Sequence, residues 1–206
     1  MRLLLILPLA ITLAAPQLAA QNVPVQPGTS AAPDYSPATV GQRADWWAIQ
    51  SFGWANWAAG AFTSGFWTWR ISPEEWGPGW GGFGRRYGTR QAEVTMANGV
   101  EAALGTLWKE DPRYSRSNSK GFWRRTKWAI SSAFLAHGPH GNRRPAVARG
   151  IGFVGARGVT GNWRPESQQD WWDYSLWPLA SGFGGRVASN LFLEFSDDIF
   201  RRGRKQ

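Results

Sequence analysis

Four groupings of side chains in this chain have types and spacings that invite a chemical reading. His137 and His140 lie in AHGPHG. Two imidazoles could begin a metal site. No Asp, Glu or Cys lies nearby, and Gly138-Pro139 breaks the helix that would bring both rings to one face. The segment reads as a helix-ending turn with Gly138 just past the last helical residue, and no metal site or cofactor is expected. Glu93 and Glu101 are eight residues apart, two helical turns. A partly buried Glu101 could act as an acid or base. The plainer role is pairing with an arginine from a neighbouring helix. Trp76 and Trp80 could stack on sugar rings, or could clamp a loop over the fold.

The fourth grouping is cationic. Between Pro112 and Pro165 there is no Asp or Glu, while nine arginines and two lysines give +11. Arg113, Lys120, Arg124, Arg125, Lys127, Arg143 and Arg144 fall in this stretch, with Trp123 and Trp128 among them. Clustered cations attract anionic lipid or anionic polymer, and tryptophan favours an interface where its N–H stays wet. The plainer alternative is a basic segment docked on acidic residues elsewhere in the fold. Nucleic acid is not expected as a partner: no nucleic-acid fold signature is present. Nor does a nucleophile elbow or a spaced carboxylate pair specify an enzyme. A periplasmic enzyme using Glu101, Glu110, Asp111 or His137 stays open beside the binding readings, as does the oligomeric state.

The first 20 residues read as a secretory leader. Met1-Arg2 supplies the positive start, Leu3–Ala15 the apolar run, and Leu18-Ala19-Ala20 the cleavage region. Export to the periplasm or the envelope membrane follows. The chain has no cysteine, which rules out disulfides, thiolate metal sites and a lipid anchor through that residue. The formal charge of +9 falls to +8 when Arg2 leaves with the leader. Residues 21–44 are rich in Pro, Ala, Ser and Gln and read as a disordered linker. Residues 45–200 are expected to form a single helical domain, and 201–206 a basic tail.

About five helices are expected, making the fold all-α. Trp46–Trp69 carries no charge. Its length suits a membrane span, yet its polar residues and six tryptophans suit a buried helix or an interfacial one. Residues 74–88 follow as a Gly/aromatic loop. Arg85–Lys109 is the second helix, with small residues at Gly99, Ala102, Ala103 and Gly105. Glu110-Asp111-Pro112-Arg113-Tyr114 stops it. Proline disfavours helix at Asp111, Arg113 is the expected partner for the two carboxylates, and Tyr114 seals the turn. Gly121–His137 is a basic amphipathic third helix. Arg144–Thr160 is a glycine-rich fourth helix suited to close helix contact, with a pair of strands as the competing reading. Arg149 and Arg157 within it are again eight apart. Glu166–Ser196 is the last helix, which Pro178 is expected to kink or split.

EDPRY, preceded by WGPGWGGFGRRYG and followed by Asn190, Glu194-Phe195 and Asp197-Asp198-Ile199, resembles a group of exported bacterial proteins of uncharacterised function. The resemblance covers roughly residues 76–200. It implies a helical, envelope-associated protein and no particular chemistry. The group tends to carry an Asp-Ser-Gly-like turn where this chain has Gly138-Pro139-His140-Gly141. It has a Tyr-Tyr-Pro-like element where this chain has Trp163-Arg164-Pro165.

The expected function is therefore that of a non-enzymatic envelope protein. Its cationic, tryptophan-bordered surface would meet anionic membrane or envelope polymer.

Overall fold

A computed structural model describes residues 36–202. The leader, residues 21–35 of the expected linker and residues 203–206 of the tail lie outside the described residues. Among those described, the chain is mostly helical, with one two-stranded ribbon.

The first expected helix is two helices. α1 spans Val40–Phe52 and α2 spans Trp54–Trp69, separated at the extended residue Gly53. α1 also begins earlier than the linker boundary at 44 allowed. Thr39 caps it, accepting from the Gln42 N–H, while the Gln42 side chain accepts from the Thr39 N–H. This reciprocal cap outweighs the polar composition of the segment.

α3 runs Gly79–Trp108 and takes in the glycine-rich stretch expected to be a loop. Only Pro73–Pro78 remains as turn. Glycine disfavours helix by roughly 1 kcal/mol per residue relative to Ala, and here tertiary contacts override that preference. A Cβ at Gly82 would lie 2.1 Å from the Gly77 carbonyl oxygen. Along the same helix Trp80 meets Phe83 edge to face, and Phe83 stacks on Tyr87 one turn further on. At the other end Lys109 adopts a left-handed conformation (φ 55°), and the Glu110 N–H bonds back to the Gly105 carbonyl at 2.8 Å. The helix thus ends at Trp108, one residue short of the expected Lys109, closed by its own backbone.

α4 is Phe122–Phe134. Leu135–His137 (β1) then pairs antiparallel with Arg143–Pro145 (β2) around the Gly138–Asn142 turn. This ribbon replaces the last turn of the third expected helix and the first of the fourth. α5 is Val147–Thr160, so the glycine-rich strand pair is not formed there. The last expected helix is divided. A 3-10 turn at Glu166–Gln168 and a single turn, α6 (Trp171–Tyr174), precede α7 (Leu176–Arg202). Pro178 falls in the first turn of α7, where a missing N–H costs nothing, so it starts the helix without kinking it.

α3 is the axis of the bundle, packed against α1, α2 and most extensively α5, while α4 lies on α7. The α3–α5 contact is backbone on backbone: a Cβ at Gly152 would sit 2.6 Å from the Ala97 carbonyl oxygen. Ala148, Gly152, Ala156 and Thr160 recur every four residues along the buried stripe of α5. The substitution Gly152→Val is expected to destabilise the fold by about 1–3 kcal/mol through overpacking. Gly155→Ala, on the same helix but with open space around it, is expected to stabilise by up to ~1 kcal/mol. Unfolding followed by helical circular dichroism checks both, and equal stability of Gly152→Val and wild type would refute the close contact.

Candidate functional site

The interior is polar. The largest side chains that are fully buried are Glu194, Asn190, Thr160, Ser51 and Ser196. The buried stripe of α3 is Gly82, Arg86, Thr89, Ala97, Asn98, Glu101 and Gly105, with no bulky aliphatic among them.

Two carboxylates of α3 meet two arginines of α5. Arg149 Nε donates to Glu101 at 2.8 Å, and Arg157 Nη1 to Glu93 at 3.3 Å. The helices are antiparallel, so equal eight-residue spacings bring both pairs into register. Each carboxylate takes a second guanidinium. Arg186 of α7 reaches Glu101 at 2.7 Å, and Arg164 reaches Glu93 at 2.7 Å. Glu101 is thus a pairing residue held between α5 and α7. Burial pulls the Arg186 guanidinium down to about 10, with Glu101 opposing the shift.

The EDPRY turn is the second node. The Glu110 carboxylate accepts the Ala148 N–H at 3.1 Å in the first turn of α5, a favourable place for negative charge. The Arg43 guanidinium donates to the Glu110 carbonyl. Asp111 accepts from Arg113 and from the Ala38 N–H, and its own N–H donates to the His137 carbonyl at 2.9 Å. The Tyr114 hydroxyl donates to Glu194 at 2.7 Å. Burial and then that bond push its phenol above the ordinary range. Five residues therefore tie together α1, β1, α5 and α7, a reach that local spacing could not reveal.

The predicted cations divide between interior and surface. Arg113 is bound to Asp111. Arg125 donates to Glu194 at 2.8 Å, pairs with Asp198 and lies over the Phe195 ring. Arg143 stacks 4.1 Å over Trp128 and donates to Ser131 and Ser132. Arg144 donates to the Trp108 carbonyl. Lys120, Arg124 and Lys127 are exposed on or beside α4. Of the two expected anchors, Trp123 is 72% exposed, while Trp128 is half-buried and donates to the Ser115 carbonyl. Trp76 is half-buried with the Arg86 and Arg164 guanidiniums each 5.9 Å from its ring centroid, while Trp80 is 87% exposed.

Sequence reasoning missed the exterior. Exposed large hydrophobics number 22 among the described residues, including eleven of the fifteen tryptophans. The outward stripe of α5 carries Val147, Ile151 and Val159, the reverse of a water-soluble helix. α2 has no charged residue, and both charges of α5 are buried. On α7 from Leu176 to Phe195 the two charges, Arg186 and Glu194, turn inward to Glu101 and to Tyr114 and Arg125. Asp45 of α1 and Asp198 of α7 are exposed, and most other exposed charges collect toward the two ends of α3. Arg70, Glu74, Glu75, Arg85, Glu166 and Asp170 lie toward one end, and Lys109, Lys120, Arg124 and Lys127 toward the other. The signal available in the sequence was the lack of bulky apolar residues on the paired helices' inner spacing.

Among the described residues no helix is long and apolar enough to cross a membrane, and no cluster of three potential metal-ligating side chains occurs. No family model, curated protein or solved structure matches the chain.

Replacing Glu101 by Leu strands two buried guanidiniums and is expected to cost about 3–5 kcal/mol. Adding Arg149→Leu and Arg186→Leu to it is expected to recover most of that loss in urea unfolding. Additive losses would show that the charges are not coupled. His137 supplies a pH test. Burial first, and Arg143 second, hold its pKa below the usual value, against Asp111. The folded state therefore binds fewer protons than the unfolded one, so stability is expected to fall as pH drops below about 6.5. The His137→Gln variant is expected to flatten that slope, and an unchanged slope would place its origin elsewhere.

Proposed function

We propose that the protein is an exported, non-enzymatic component of the bacterial envelope whose apolar outer faces are solvated by lipid. The observation that carries this reading is the inverted distribution of polarity: paired charges inside, tryptophans and aliphatics outside. In water such an exterior is unfavourable by roughly 25 cal/mol for each Å² of apolar surface left wet, and contiguous patches of this kind mark interaction surfaces. Lipid removes that cost. Ion pairs turned inward are the arrangement that a low-dielectric surround demands of charged side chains. Exposed tryptophan at both ends of the bundle suits the headgroup region.

No helix among the described residues is long and apolar enough to cross a membrane, and in this reading the bundle sits in the interface by its aromatic surface. The cationic contribution is narrower than the sequence suggested. Lys120, Arg124 and Lys127 are the residues placed to meet anionic headgroups, since Arg113 and Arg125 already hold carboxylates. Resemblance to an envelope-associated group points the same way.

The test is fractionation of the native protein together with vesicle flotation. Detergent is expected to release it, and high salt to leave most of it bound. Lys120→Glu, Arg124→Glu and Lys127→Glu combined are expected to weaken binding to anionic vesicles about a hundredfold, at ~1 kcal/mol per cation. Binding to zwitterionic vesicles is expected to change little. Recovery of the protein in the soluble fraction without either treatment would defeat the reading.

A further inference from the structure

The outward groove between α2 and α3 is more specific than a lipid-facing surface requires. Trp57 from α2 and Tyr87, Gly88, Ala92 and Met96 from α3 border an open cavity of about 420 Å³, within the range of small-molecule sites. Two polar side chains, Gln91 and Thr95, also line it, and both have partners. The Gln91 amide donates to the Ser51 carbonyl and to the Thr95 hydroxyl and accepts from Asn56, so the rest of the wall is hydrocarbon and aromatic carbon. Glycine keeps the floor low: a Cβ at Gly88 would meet nothing within 4 Å.

Arg85, Gly88, Ala92 and Met96 recur at helical spacing along one stripe of α3. Arg85 thus stands one turn beyond the groove, at its outer end. It is exposed and takes part in none of the ion pairs among the described residues. An apolar channel with a cation at its end complements an anionic amphiphile. The guanidinium fork suits a phosphate in particular.

We propose that this groove holds one acyl chain of an anionic membrane phospholipid whose phosphate rests on Arg85. The proposal rests on the lipid-facing reading and adds to it a bound lipid of defined position and stoichiometry. Lipid tails already surround α2 in that reading, and the groove continues the exposed surface of Trp54 and Trp57.

The test uses the exported chain purified in mild detergent, phosphatidylglycerol as probe, and native mass spectrometry as readout, with vesicle flotation in parallel. Wild type is expected to retain one phosphatidylglycerol per chain, saturably. Gly88→Leu, whose Cβ meets nothing within 4 Å and whose side chain would occupy the groove, is expected to lower occupancy about tenfold, the scale of one lost favourable contact. Arg85→Gln is expected to do the same, with phosphatidylcholine retained poorly by wild type. Gly155→Leu, in equally open space on α5, is expected to leave occupancy unchanged. All variants are expected to float with vesicles.

Equal occupancy in wild type and Gly88→Leu would overturn the groove assignment. So would equal retention of phosphatidylcholine, or a two-chain species carrying no lipid. Flotation would meanwhile continue to support the broader reading. Loss of flotation by wild type would overturn that reading and the groove with it.

Discussion

The fold depends on the requirement that a charge removed from solvent must be paired and fully hydrogen-bonded. Glu101 meets this with Arg149 and Arg186, and Glu194 meets it with Arg125, Tyr114 and the Ser117 N–H. A desolvated carboxylate left alone is penalised by several kcal/mol, so each of these residues selects its partners strictly. Helix registry follows. α5 can slide along α3 only by breaking both the Glu101–Arg149 and the Glu93–Arg157 contacts, and α7 is tied to the same Glu101 through Arg186. Apolar packing, which tolerates small shifts, contributes less to specificity in this interior.

The pairs reach one another because the helices approach closely. Gly152 lets α5 lie against the Ala97 carbonyl, and Gly105 leaves room for the Glu110 carbonyl and the Arg43 guanidinium. The EDPRY turn uses the same economy of space. Glu110, Asp111, Arg113 and Tyr114 bond to four separate elements, so the segment that follows α3 also positions the start of α5 and the second half of α7. Arg86 shows a variant of the rule. With no carboxylate partner, it donates to the carbonyls of Ser72, Pro73 and Gly77 and fixes the turn before α3. Burial accordingly lowers its pKa.

An interior filled largely with ionic and small side chains takes in few large apolar ones, among them Trp46 and Leu193, and leaves many of the rest outward. Val147, Ile151 and Val159 on α5 and Trp54 and Trp57 on α2 are exposed for that reason. The polar core and the aromatic exterior are therefore one property, and the lipid-facing function proposed above is its consequence. The expected basic face shrank by the same logic. Arg113 and Arg125 were drawn to Asp111 and Glu194, where pairing in a desolvated site outweighs solvation at the surface. Lys120, Arg124 and Lys127 stayed outside and take part in none of the ion pairs among the described residues.

By itself the sequence determined the helical class, a helix end just ahead of EDPRY, the pairing of Glu101 with an arginine and the close-packed role of Gly152, whereas Gly155 and Gly158 of the same helix face open space. These are local signals: period, turn residues and composition within a few turns. It did not disclose that Gly79–Gly84 is helical, that His137 lies in a ribbon, or that α1 and α2 are separate. Those outcomes rest on contacts between distant segments, such as the Gly77 carbonyl against Gly82 and the Phe134 carbonyl against Ala146. Which face of each helix turns inward was also decided only by the tertiary structure. Hydrophobic periodicity assumes that apolar residues go inside, and here the ion pairs claimed the inside first.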